Sequence, residues 1–158
     1  MCIMPQNLVD KQLLERSDQT EVPNSEYRLA CATQDEIMEK LNKLDFTQIS
    51  YKLMNPDYGD AWSLEQTNKA IALYKMFLCL SYLYPHEIAP SQEIERVWHE
   101  HILNTFAYAQ ACQQIFGKFI HHSPYFGLGG EEERQNLNAA FAQTQLLFIK
   151  HFGIDIVK

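Results

Sequence analysis

The sequence has no apolar run approaching the roughly 18 residues of a membrane-spanning helix, so no membrane span is expected. Its N-terminus, MCIMPQNLVDKQLLERS, lacks a basic start followed by an apolar stretch and a cleavage site, so no secretory signal is expected either. The four cysteines, at 2, 31, 79 and 112, include no C-x-x-C pair. Cys79 and Cys112 fall inside helical apolar patterns, which points to reduced, buried thiols in a cytoplasmic protein rather than a disulfide frame. Basic residues are scarce. Thirteen Lys and Arg face twenty Asp and Glu, for a net charge of -7, and they form no cluster. That balance disfavours nucleic-acid and anionic-membrane partners, which both need a basic face. No two alternating apolar segments are joined by a hairpin turn, so no sheet is expected. There is no internal repeat and no low-complexity tract.

What is present reads as helices. The 158 residues, 46% hydrophobic and 21% charged, suit one soluble domain with a core of its own. We divide them into an N-terminal extension, residues 1–32, and a helical domain, residues 33–158. In the extension, Leu8, Leu13 and Leu14 would face inward from a short helix over Gln6 to Arg16, followed by a polar loop. Thr33 opens the first main helix through the capping box T-Q-D-E, and Ile37, Met38, Leu41 and Leu44 share one stripe. From Asp45 to Trp62 the period breaks. Asn55-Pro56-Asp57 and Gly59-Asp60 are turn residues, and Phe46, Ile49, Leu53 and Trp62 are expected to fill the core from an irregular connection.

Ser63 opens a second helix, again with capping-box spacing through Gln66. Its apolar residues Ile71, Leu73, Tyr74, Phe77, Leu78, Leu80 and Leu83 cover most of its circumference, which predicts the central helix. Pro85 ends it, and His86 falls in a surface loop. A third helix is predicted from Gln92 to Phe116, with Ser91 as N-cap and Gly117 as left-handed C-cap. The last runs from about Glu131 to Phe152, with three glutamates in its first turn, Lys150 and His151 in its last, and Gly153 as cap. Its inward stripe is Leu137, Phe141, Thr144, Phe148 and His151. The fold class expected is all-α: a single compact bundle of about four main helices with an N-terminal appendage and a His-rich irregular connection.

The chemistry concentrates between Glu93 and Gly127, which hold four of the six histidines. On a continuous third helix, Trp98, His101, Thr105, Tyr108 and Cys112 line one side, and Glu95, His99, Ile102 and Phe106 an adjacent one. His99 and His101, two residues apart, point in nearly opposite directions and cannot chelate one ion. The H-E-H here is therefore not the metalloprotease H-E-x-x-H. A metal site needs a second element, and the connection supplies His121 and His122. In one arrangement either of them meets His101, with Tyr108 or Cys112 adding an O or S donor. In another, Glu95 and His99, one turn apart, are joined by a histidine from elsewhere. Zn²⁺ or iron accepts such sets, and Glu95 could instead orient a ring from behind. Cys112 and His101 are too far apart on one helix to form a nucleophilic dyad.

The run I-E-x-x-W-H-x-H-I-L-x-T-x-x-Y-x-x-x-C from Ile94, followed by F-G-x-F-I-H-H-x-P-Y-F-G from Phe116, resembles the glycine-rich domain-containing protein-like family, a largely uncharacterised group. K-L-M-N-P from Lys52 and W-S-L from Trp62 are also similar to its bacterial members, and the resemblance spans about Leu44 to Gly153. The glycine-rich tail that names the family is absent here. The family pattern has Asp where Glu95 and Asn104 stand in this chain. The resemblance implies importance for Trp98, His99, His101, Tyr108, His121, His122 and Tyr125 and assigns them no activity.

Two readings of function follow. In the first, the chain is a small soluble metalloprotein, enzymatic or not, that binds Zn or Fe through donors drawn from the candidates His99, His101, His121 and His122, with Glu95 and Tyr108 as further ligands or supports. In the second, it is a non-enzymatic protein–protein interaction module, in which the same cluster locks two helices together and an acidic or aromatic surface meets the partner.

Overall fold

A computed structural model describes residues 32–157. The extension's short helix over residues 6–16, together with Cys2 and Cys31, lies outside the described residues. Those described form six helices and no strand: α1 (Gln34–Asn42), α2 (Thr47–Met54), α3 (Leu64–Leu83), α4 (Gln92–Leu103), α5 (Thr105–Phe116) and α6 (Glu131–Phe152). The all-α class is therefore as the sequence indicates, but the chain is cut more finely. The stretch after Asp45 is not wholly irregular. It winds into α2, which buries Leu53. The helix expected from Gln92 to Phe116 is two helices, because Asn104 leaves helical geometry at φ −84°, ψ 71° and its carboxamide oxygen accepts from the Ala107 N–H at 3.4 Å. Asn at an N-cap satisfies a donor that a nascent helix cannot, so the same residue closes α4 and opens α5.

The caps carry the remaining boundaries. The Thr33 hydroxyl accepts from Glu36 N, and the Glu36 carboxylate accepts from Thr33 N at 2.9 Å, completing the capping box of α1. The Ser63 and Ser91 hydroxyls accept from Gln66 N and Ile94 N. Gly117 and Gly153 close α5 and α6 in the left-handed conformation.

The core is built around α3, which packs against α1, α2 and α4. It buries Ala70, Ile71, Leu73, Tyr74, Phe77, Leu78, Cys79 and Leu80, too wide an arc for a one-sided surface helix. Helix α6 lays its expected stripe inward, with Thr144 and Phe148 fully buried. The Thr144 hydroxyl accepts from Ala89 N at 3.0 Å and lies 2.7 Å from the Ala89 carbonyl. At the far end of α6, His151 Nε2 meets the Tyr84 hydroxyl at 2.9 Å and Nδ1 meets Gln34 Oε1 at 2.6 Å, which ties α1, the end of α3 and α6 together. The tail after Gly153 docks, with Ile154 and Ile156 packed on the core. Among the described residues no helix is long and apolar enough to cross a membrane.

An ion network joins the turn after α2 to α4. Arg96 reaches Asp60 at 2.6 Å and Glu100 at 2.5 Å, and Lys52 reaches Glu100 at 2.5 Å. Burial pushes the Glu100 carboxyl upward, yet the bonds from Lys52 and Arg96 outweigh it and hold the group below its ordinary value. The turn depends on Gly59, where an added Cβ would stand 2.1 Å from the Lys52 carbonyl oxygen. That atom is backbone and cannot swing away. Gly59→Ala is expected to cost about 1–3 kcal/mol, the range for forced overpacking, read as a lower midpoint in chemical denaturation.

Candidate metal centre

Helix α4 carries two donors on one face. Glu95 lies in its first turn and His99 one turn later, with His99 Nε2 3.6 Å from Glu95 Oε1. The third donor arrives from the connection after α5. His122 Nε2 stands 3.4 Å from the same Glu95 oxygen, and the His99 and His122 rings meet edge to face with centroids 4.9 Å apart. One donor atom from each of the three lies within 4.8 Å of the other two. Ligands held at about 2.0–2.1 Å around a tetrahedral ion are roughly 3.3–3.4 Å apart, close to both measured separations from Glu95.

His122 is held in place by an aromatic scaffold. Its ring packs edge-on against Trp98, centroids 4.6 Å apart. The Trp98 indole N–H donates to the Tyr108 hydroxyl at 2.9 Å, and that hydroxyl donates to the Ile120 carbonyl at 2.5 Å. One hydroxyl thus connects α4, α5 and the backbone two residues before His122. Beyond the histidines, the Ser123–Phe126 turn ends at Gly127, at φ 93° and against Leu137 of α6, where a Cβ would come within 2.6 Å of the Leu137 side chain. Burial, and then the neighbouring His99, hold the His122 imidazole below its ordinary value, against the pull of Glu95. The downward shift favours the neutral imidazole, the form that binds a cation.

Tyr108 supports this arrangement rather than taking part in it. Tyr108→Phe would strand the Trp98 N–H and the Ile120 carbonyl in the core. The expected loss is about 2–3 kcal/mol, measured by denaturation.

The other candidates separate. His101 does not meet His121 or His122. It is buried beneath α4, its Nδ1 2.9 Å from the Tyr74 hydroxyl and its ring edge-to-face with Phe46, Tyr74 and Tyr108. Burial lowers its pKa from 6.5 to about 4, as expected for a neutral core histidine. Cys112 is buried as well, and burial raises its thiol pKa, which keeps it protonated. Thr105, expected on the same side as His101, is exposed because it opens a new helix. Phe106 is exposed too, beyond the break that ends the Glu95–His99 face. His121 is not one of the three grouped donors; its ring lies beside Phe119, centroids 4.9 Å apart. His86 is exposed in its loop.

Sequence reasoning missed two contributors. The Ile120 carbonyl anchors the connection through its backbone, which no side-chain pattern reports. Phe119, between the C-cap and the histidines, lines a surface cleft of about 380 Å³ together with His99, His121 and His122.

A model of the family described as UCP032817-like matches residues 36–145, a span that holds Glu95, His99 and His122 with the scaffold beneath them. No curated protein and no solved structure matches the chain. Because the match covers most of its length, the chain belongs to the UCP032817-like family.

Proposed function

We propose that this protein binds a single divalent metal ion through Glu95, His99 and His122. The observation that carries this reading is the convergence of a carboxylate and an imidazole from α4 with a second imidazole from the connection after α5, with donor spacings that a small ion can bridge. Two histidines and one carboxylate suit Zn²⁺ in an open catalytic site or iron in a facial triad. Three protein donors leave room for an outside ligand, so the site is of the kind that supports Lewis-acid or oxygen chemistry. Titration of the metal-free protein with Zn²⁺, and anaerobically with Fe²⁺, tests this. One equivalent bound with a rise in melting temperature is expected. No uptake of either ion, nor of Mn²⁺ or Co²⁺, would overturn it.

The similarity of the W-H-x-H and H-H-x-P-Y-F-G motifs to the glycine-rich domain-containing protein-like group supports kinship with that group as a further proposal. The free, buried thiols of Cys79 and Cys112 are consistent with the cytoplasmic placement we propose. One observation favours the second reading, an interaction module. Phe106, in α5, and Tyr125 and Leu128, in the connection before α6, are 80%, 77% and 75% exposed, large apolar side chains that a partner could cover. On that reading the chain would take up no metal.

A further inference from the structure

We propose that the cleft beside Glu95, His99 and His122 receives a small carboxylate with an apolar or aromatic body, bound by its carboxylate to the metal. The inference rests on the metal reading above and adds the class of ligand.

Three features lead to it. First, two of the three donors, His99 and His122, line the cleft, so an ion held by them would border it. Second, charge selects the head group. A divalent ion held by one carboxylate and two neutral imidazoles carries a net positive charge, which favours an anionic oxygen donor. His121, a third imidazole in the same cleft and outside the three-donor group, offers the second carboxylate oxygen a hydrogen bond. Third, the other walls are apolar. Ile102, Leu103 and Phe119 line the cleft, and Leu103 is 68% and Phe119 45% exposed. Water gains nothing from these surfaces, whereas a phenyl or alkyl body would cover them. The volume of about 380 Å³ accommodates a one-ring acid and is too small for a folded partner.

The test uses the full chain loaded with Co²⁺, whose visible spectrum reports on its own coordination sphere. Loading is measured first. Acetate and phenylacetate are then titrated against the cobalt bands. Both should perturb the spectrum, with phenylacetate about 10–100-fold tighter, the increment expected for burying a ring. Leu103→Ser and Phe119→Ala should each reduce that preference, while their cobalt loading is measured alongside. Leu103 is exposed, so its variant is expected to fold even if truncation of Phe119, which packs on Tyr108, disturbs the scaffold. Equal affinities for the two acids, or an unchanged preference in Leu103→Ser, would overturn the ligand assignment while leaving the metal reading intact. Failure to load Co²⁺, Zn²⁺, Fe²⁺ and Mn²⁺ alike would overturn both.

Discussion

Replacing His101 with alanine will destabilise the fold by about 3–5 kcal/mol, the range for truncating a large buried ring, and will leave metal uptake in the surviving folded fraction unchanged. The ring fills space between Phe46, Tyr74 and Tyr108. Its loss opens a cavity and orphans the Tyr74 hydroxyl, which is itself fully buried. The same residue gives the fold a pH dependence. In the unfolded chain His101 takes up a proton near 6.5, whereas in the folded protein it does so only at about 4. A lowered imidazole pKa means that the unfolded state binds more protons between those values. The contribution of His101 is therefore complete above pH 6.5 and declines as the pH falls towards 4. With about 1.4 kcal/mol per pKa unit, the decline is about 3 kcal/mol. Carboxylates titrate in part of the same window, so the comparison is with His101→Phe, which should lose less stability over that interval. Parallel slopes for the two proteins would show that the ring is not held neutral by burial.

His99→Ala should have the opposite profile. His99 is nearly half exposed, and its truncation is expected to change stability by less than about 0.5 kcal/mol. It should nevertheless weaken Zn²⁺ binding by at least about 100-fold, because even disturbing a group that only orients a ligand costs 10–100-fold. Glu95→Gln should match it in metal affinity, since the carbonyl of an amide is a much poorer donor to a cation. His122→Ala should lose both, because its ring is a donor and also packs on Trp98. The separation of the two effects, stability at His101 and affinity at His99, follows from their positions two residues apart on α4, one facing the core and one the cleft.

That separation was readable from the helical period alone. So were the long helices α3 and α6, because a buried circumference and a charged first turn leave clear traces in sequence. The pairing of Glu95 with His99 was also visible, as one of two possible arrangements. Which of His121 and His122 completes it was not, because an irregular connection has no period to orient adjacent side chains and only the backbone path decides between them. That path is set by the Ile120 carbonyl and by Gly127, neither of which advertises itself in a pattern of side chains. The break at Asn104 could have been found. Asn before Thr is a capping signal, and the Asp that the resembling family carries there is a capping residue too. The apolar period ran on across it and hid the boundary. Helix α2 was hidden for a related reason: eight residues flanked by turn chemistry carry too little period to be distinguished from a loop.

The central claim is that one ion sits between α4 and the connection after α5. Anomalous diffraction at the zinc edge, from crystals of the protein grown or soaked with Zn²⁺, tests it most directly. The account predicts a single strong peak within about 2.0–2.2 Å of Glu95, His99 and His122. A peak coordinated instead by His101 or Cys112, or no peak at this group under zinc concentrations that occupy other sites, would contradict it.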